Sequence, residues 1–247
     1  MSALATLTVV EAKLFRRDGI SLFFGLLFPP LLFLALGAFL PGFREPNDDL
    51  GGLRLIDLYL PIVLALALAT LALSTLPTYI ATYRERGVLR RMATTPVGAA
   101  RLLGAQLMLH VFVAVVAAIL TMVVAAVGFG VDVGENPLGF LVAFALTAAA
   151  MFSIGLVIAA VSPRATVATG IGMALYFPAL FFAGVYFPRA AMSDALRTVS
   201  DATPTGSGVQ AMQDALAGGW PQPLTLAILV IWIVVAGVAA VRLFKWQ

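Results

Sequence analysis

Residues Leu102–Gly128 read LLGAQLMLHVFVAVVAAILTMVVAAVG, 27 positions without an Asp, Glu, Lys or Arg. As a helix rising about 1.5 Å per residue, this stretch exceeds the roughly 30 Å hydrocarbon core of a bilayer. Soluble core helices rarely run so far uncharged. Five more stretches share the property: Ile20–Leu40, Leu58–Thr82, Leu138–Val161, Thr166–Phe187 and Pro223–Val241. The chain therefore reads as an all-α polytopic membrane protein with six transmembrane helices, one membrane domain over residues 1–247. Ion-coupled carriers and proton pumps usually place ionisable groups inside the bilayer. These spans offer none of the four charged types, so transport work must draw its energy from elsewhere.

Composition agrees. The chain is 62% hydrophobic and 11% charged, with a mean hydropathy of +1.03, and the short connections leave no room for a soluble domain of ordinary size. Cysteine is absent, which excludes disulfides and thiolate metal sites. The pI of about 9.6 reflects sidedness rather than nucleic-acid binding. With the N-terminus inside, the inner segments hold 11 of the 15 Lys and Arg residues and three acids, Glu11, Asp18 and Glu85. The outer segments hold Arg44, Arg54, Arg189, Arg197 and the other nine acids. The positive-inside rule then puts both termini in the cytoplasm of a cell whose plasma membrane the chain crosses repeatedly.

Ahead of the first span, Leu7, Val10 and Leu14 recur at helical spacing, with Glu11, Lys13, Arg16 and Arg17 mostly on other sides. The pattern predicts an interfacial helix over residues 1–18 rather than a cleaved signal peptide, whose apolar region would be shorter. Ser162-Pro163-Arg164 is a minimal turn, so spans four and five are antiparallel neighbours. His110, the sole histidine, has no carboxylate in its span and reads as a packed or hydrogen-bonded residue.

Two connections stand out. Residues 83–95, closed by Pro96, predict a short basic helix: Tyr83, Arg84, Glu85, Arg86, Gly87, Val88, Leu89, Arg90, Arg91 and Met92 lead to Ala93-Thr94-Thr95. Arg84, Val88 and Arg91 would share one side. Composition alone leaves two readings open, docking of a protein partner and anchoring to anionic headgroups. The other connection, residues 188–220, follows an aromatic approach of Tyr176, Phe177, Phe181, Phe182, Tyr186 and Phe187. Val209, Met212 and Leu216 keep helical spacing before Gly218-Gly219. Two short outer helices are expected, either re-entrant and buried against protein or lying flat on the membrane.

This order of elements resembles the permease subunit of type-two ABC transporters, the mostly exporting class. Tyr83–Val97 is similar to that family's coupling segment, where an acidic–basic pair and Gly precede Leu-Arg-Arg and Thr-Pro. Phe182-Ala183-Gly184-Val185-Tyr186-Phe187-Pro188 resembles the segment closing span five, and Thr203-Pro204 the loop after it. The resemblance implies that the Tyr83–Arg91 residues couple to a separate ABC ATPase subunit, present in two copies and carrying ATP and magnesium. It also implies a second permease copy, a homodimer or heterodimer, and a cargo path bordered by spans two and five. Candidates for that path and its gate are Thr70, Ser74, Thr75, Thr78, Tyr79, Met173, Tyr176, Phe177, Phe181 and Phe182. An apolar, aromatic wall with scattered hydroxyls suits a hydrophobic or amphipathic cargo such as a drug, antibiotic or lipid.

The chain itself carries no P-loop. Its only lysines, Lys13 after Ala12 and Lys245 after Phe244, lack the glycine-rich setting that cradles phosphates. It is expected to be a transport subunit rather than an enzyme, with no cofactor, metal or catalytic residue of its own. A non-transporting scaffold or sensor is the rival reading. Ala168/Gly172 and Gly170/Ala174 in span five permit close helix approach, either between subunits or within one.

Overall fold

The structure, a computed structural model, describes residues 3–47, 52–94, 98–132, 134–186 and 188–244. Six of its helices are long and apolar enough to cross a membrane. In chain order the helices are α1 (Ala3–Arg17), α2 (Gly19–Phe39), α3 (Leu55–Glu85), α4 (Val88–Ala93), α5 (Ala99–Phe129), α6 (Pro137–Val161), α7 (Ala165–Ala183), α8 (Asp194–Ala202), α9 (Pro204–Leu216) and α10 (Pro223–Leu243). The spans are α2, α3, α5, α6, α7 and α10.

The helix expected over residues 83–95 is broken. Tyr83, Arg84 and Glu85 are the last residues of α3, Arg86-Gly87 forms an elbow, and α4 begins at Val88. Gly87 sits at φ +69°, a left-handed conformation that costs a residue with a Cβ but not glycine. The chain changes direction there, so Arg84, Val88 and Arg91 do not share one helix face. Thr95 at the end of that segment, and Phe187 in the aromatic approach, fall outside the described residues.

α3 is the central column. Its most apolar stretch is 78% buried, against 17–50% in the other spans. Leu60, Leu64, Leu68, Leu71, Leu76 and Ile80 are fully enclosed. Within a membrane such packing rests on close van der Waals contact rather than on exclusion of water. The glycines show how close. Thr70–Thr75 is a widened, π-type turn that leads into Leu76-Pro77. Pro77 brings no N–H, so a carbonyl in this turn loses its intrahelical partner. Gly155 of α6 and Gly172 of α7 press on the Ala72 and Leu73 carbonyl oxygens, and a methyl group at either would overlap them. From the other side, a methyl at Gly25 of α2 would lie 2.7 Å from Leu71 Cδ2. Gly25 itself belongs to a second π-type turn, Phe23–Leu27, just ahead of Pro29-Pro30. Gly172, with Ala168 buried one turn away, therefore packs within this chain, whereas a side chain at Gly170 would meet open space.

Between α7 and α10 the chain folds back into the bundle. α9 packs against α3, α6, α7 and α10, with Val209, Ala211, Met212 and Ala215 fully buried. Thr203 joins α8 to α9, accepting Gly206 N at 3.0 Å as N-cap and donating to Ser200 O at 2.7 Å. The buried Arg189 guanidinium binds Ser200 Oγ and the Asp201 carboxylate. Gln213 Nε2 donates to Leu58 O at 3.2 Å, tying α9 to the start of α3.

Candidate functional site

At the end of the bundle that carries Arg17 and Arg86, α1, α2, α3 and α7 border a groove of about 820 Å³. α3 contributes Thr70, Ser74, Thr75, Thr78, Tyr79, Thr82 and Tyr83, the elbow after it Arg86, and α7 Thr169, Met173, Tyr176 and Phe177. The opposite wall holds Leu14, Arg17, Asp18, Ile20, Ser21 and Phe24. Phe181 and Phe182 are not part of it. They lie further along α7, ring to ring at 5.3 Å, with Phe181 6.5 Å from Tyr186. Arg86, expected with the coupling residues, also lines the groove.

Few hydroxyl protons in the groove remain for a ligand. Thr70 donates to Leu66 O, Thr75 to Thr70 O, Thr78 to Ser74 O and Thr82 to Thr78 O, all along α3 itself. Tyr176 Oη shares a hydrogen bond with Thr70 Oγ1 at 3.0 Å. Tyr79 donates to Asp18 Oδ2 and Tyr83 to Glu11 Oε2, each at 2.7 Å. The hydroxyl-rich wall is thus largely an acceptor surface interleaved with aromatic rings.

The two tyrosine–carboxylate bonds fasten α1 and its junction with α2 to α3. Glu11 is only 4% exposed and takes a second hydrogen bond, from Gln106 Nε2 of α5, at 2.6 Å. Burial pushes the Glu11 carboxyl above its ordinary range, and the Tyr83 hydrogen bond offsets part of that rise. Asp18 ends lower than usual: burial raises it, but hydrogen bonds from Ser21 and Tyr79 outweigh burial. His110 lies beneath this cluster, its Nδ1 2.8 Å from Gln106 O and its ring edge-on to Phe15 and Tyr79. The sequence had put Glu11 on the polar side of an interfacial helix. Its usable signal was the spacing of Tyr79 and Tyr83, one helical turn apart, facing two acids seven residues apart.

The elbow residues separate into two sets. Arg84 Nη1 donates to Ala159 O at 2.6 Å and to Ser162 O at 2.5 Å, at the carboxyl end of α6. Its guanidinium also lies 5.0 Å from the centre of the Phe244 ring. Glu85 Oε2 accepts the Ala165 N–H at 3.2 Å, at the amino end of α7. A cation at a helix C-terminus and an anion at a helix N-terminus both match the helix dipoles. Adjacent residues of α3 therefore grip both sides of the Ser162-Pro163-Arg164 turn. Arg90 and Arg91 are exposed, and among the described residues neither has an ion-pair or hydrogen-bond partner for its side chain. Leu89, 1% exposed, roots α4 in the core.

A six-span bundle with a basic elbow and a helical insert before its last span narrows the family, and one comparison decides it. A family model described as ABC-2 type transporter matches residues 2–217. The chain belongs to the ABC-2 type transporter family. Among curated proteins, no match is found. Membership makes the chain a multi-pass membrane component of an ABC transporter, a permease and not the ATPase itself, and implies an ABC ATPase subunit as its partner.

Proposed function

We propose that this permease moves a hydrophobic or amphipathic compound outward across a bacterial plasma membrane, driven by ATP that the partner subunit binds with magnesium. Two ATPase copies and a second permease copy complete the transporter, and a homodimer is the simplest arrangement. Both termini and the basic elbow face the cytoplasm. The observation that carries this reading is the groove between α2, α3 and α7, amphipathic in lining and bordered by the helix that ends in the elbow. Its volume lies within the roughly 300–1,000 Å³ of small-molecule sites.

In this reading the ATPase docks on α4 through Arg90 and Arg91, with Leu89 transmitting the load. The α3 end moves as α4 is displaced. The grip of Arg84 and Glu85 carries that displacement to the α6–α7 turn, so the groove walls on α3 and α7 shift together. α1, as an interfacial helix bonded to α3 through Glu11 and Asp18, holds the third wall. The burial of α9 supports the re-entrant reading of the outer insert, and the Phe181–Phe182 pair supplies an apolar gate above the groove. The decisive experiment is co-expression with a candidate ABC ATPase subunit, followed by reconstitution. Amphipathic compounds should raise ATP hydrolysis by the complex in proportion to their transport. Failure to co-purify with any such ATPase would leave the scaffold reading in its place.

A further inference from the structure

Apart from the Ser74 hydroxyl, the free side-chain donors of the groove walls gather at one end. Arg17, at the close of α1, and Arg86, at the elbow, both line it and are both exposed. Among the described residues neither side chain makes an ion pair or a hydrogen bond. The acid beside them is Asp18, whose Oδ2 already accepts from Ser21 Oγ at 2.6 Å and Tyr79 Oη at 2.7 Å, while Oδ1 accepts Ser21 N at 3.3 Å. Two guanidiniums with five donors each are thus left facing one opening.

Apolar side chains line both ends, Leu14 and Ile20 near the arginines and a second set deeper along the groove. Phe24, Met173 and Phe177 are exposed side chains of the lining. Along α3, Arg86 and Thr70 are 16 residues apart, about 24 Å at about 1.5 Å per residue. One leaflet with its headgroups is half of a roughly 40–45 Å bilayer, so about 20–22 Å. The groove is about as long as a single leaflet is thick, and its cations lie at one end.

We propose that the groove takes an anionic, lipid-like amphiphile, its phosphate or carboxylate held between Arg17 and Arg86 and its tail laid against Phe24, Met173 and Phe177. This deepens the cargo reading above and rests on it. A guanidinium pair accepts an oxyanion through charge-assisted, directional hydrogen bonds. A cationic headgroup would meet two like charges, against a single acid in the lining, Asp18, which already accepts three hydrogen bonds. The groove therefore selects by headgroup sign and tolerates variation in the tail.

The test uses the full chain in phosphatidylcholine nanodiscs and two photoactivatable single-chain probes with identical tails. One carries a phosphate headgroup, the other phosphocholine. Labelled peptides are located by mass spectrometry. The phosphate probe is expected to label peptides containing Met173 and Phe177 about tenfold more strongly than the phosphocholine probe. Arg17→Gln and Arg86→Gln should each weaken that labelling by about tenfold, the size of one partly solvated charge-assisted bond. Arg17→Lys and Arg86→Lys should retain most of it. Arg16→Gln, one residue away but outside the lining, should change nothing, whereas bulk headgroup attraction predicts equal loss from Arg16 and Arg17. Equal labelling by the two probes, or equal loss in the Arg16 variant, overturns charge selection and leaves the groove as a cargo path. If neither probe labels the groove, the cargo path falls as well. The comparison of probes on the parental chain stands even where a glutamine variant is poorly extracted.

Discussion

Replacing Arg84 by Ala separates a structural grip from a docking surface. The side chain makes two charge-assisted hydrogen bonds to the end of α6 and stacks over Phe244. Hydrogen bonds to charged groups contribute about 1.5–3 kcal/mol each. Both here leave from one nitrogen of a half-buried side chain, so the lower figure applies. A partly solvated cation–π contact adds about 0.5–1 kcal/mol. The expected loss is about 3–4 kcal/mol. On the soluble-domain conversion this lowers the melting temperature by roughly 6–15 °C. Arg84→Lys keeps a charged donor but is shorter and loses the planar group over Phe244, and should lose less than the alanine variant.

The exposed arginines of α4 behave differently. Arg90→Ala and Arg91→Ala remove no contact within the described residues and should stay within about 0.5 kcal/mol of the parent. They should instead weaken capture of the ATPase. Thermal unfolding of the purified permease in one detergent, followed by a pull-down with the ATPase, reads both effects. An Arg84→Ala protein that melts within about 2 °C of the parent shows that the grip on the α6–α7 turn is not holding the fold. A pull-down unaffected by the Arg90 and Arg91 changes removes α4 from the docking surface and returns these charges to headgroup anchoring.

Other expectations follow from the same contacts. Glu11 is raised in the folded state, so its contribution is fully present below the unfolded carboxyl range and fades as pH rises through the folded value. Glu11→Gln, fixed in the neutral form, should therefore gain on the parent in melting temperature as pH rises, and a shrinking gap would contradict the burial argument. Gly172→Ala drives a methyl into the Leu73 carbonyl. It should lose about 1–3 kcal/mol by overpacking and disturb amphiphile-stimulated ATPase at the groove, so unchanged melting would disprove the close approach. Phe181→Ala with Phe182→Ala should alter efflux more than the amount of complex extracted; parental export of every cargo would reduce these rings to a lipid-facing wall. In the Cys-free chain, Asn47→Cys should label in intact cells with an impermeant thiol reagent and Thr94→Cys should not, and the reverse pattern would invert the topology.

The six spans were legible because a bilayer demands length and the absence of charge, both visible residue by residue. Span ends were softer. α3 runs on to Glu85 although Arg84 and Glu85 are charged, because each finds a helix terminus to neutralise it. Those partners are backbone atoms of residues 159–165, and no pattern of side chains announces a carbonyl. The break at Gly87 was written as a glycine, yet the charged residues around it favoured one continuous helix by composition. Glu11 departs from the amphipathic pattern for a related reason. An amphipathic pattern assumes that the polar face meets water, and here part of it meets Tyr83 and Gln106. The groove was only half legible. Hydroxyls and aromatics on the second and fifth spans pointed to its α3 and α7 walls, but the third wall, from Leu14 to Phe24, depends on how α1 turns into α2 at Asp18.

That third wall bears on how the groove can change shape. α3 is tied at its basic end to α1 by Tyr79 and Tyr83, and to the α6–α7 turn by Arg84 and Glu85. These bonds span less than two helical turns, so this part of α3 moves as one piece with what it holds. About one helical turn deeper than Tyr79 lies the π-type turn at Thr70–Thr75, followed by Pro77 and flanked by Gly25, Gly155 and Gly172. Helices kink at π-bulges and prolines because hydrogen bonds are already missing there. Glycines on three sides leave no side chain that must slide past another. A load applied at α4 would therefore pivot the end of α3 about this turn, and the groove is lined by residues from the pivot to the elbow. Opening and closing it then needs one bend in one helix, with the neighbouring walls carried along by bonds already in place.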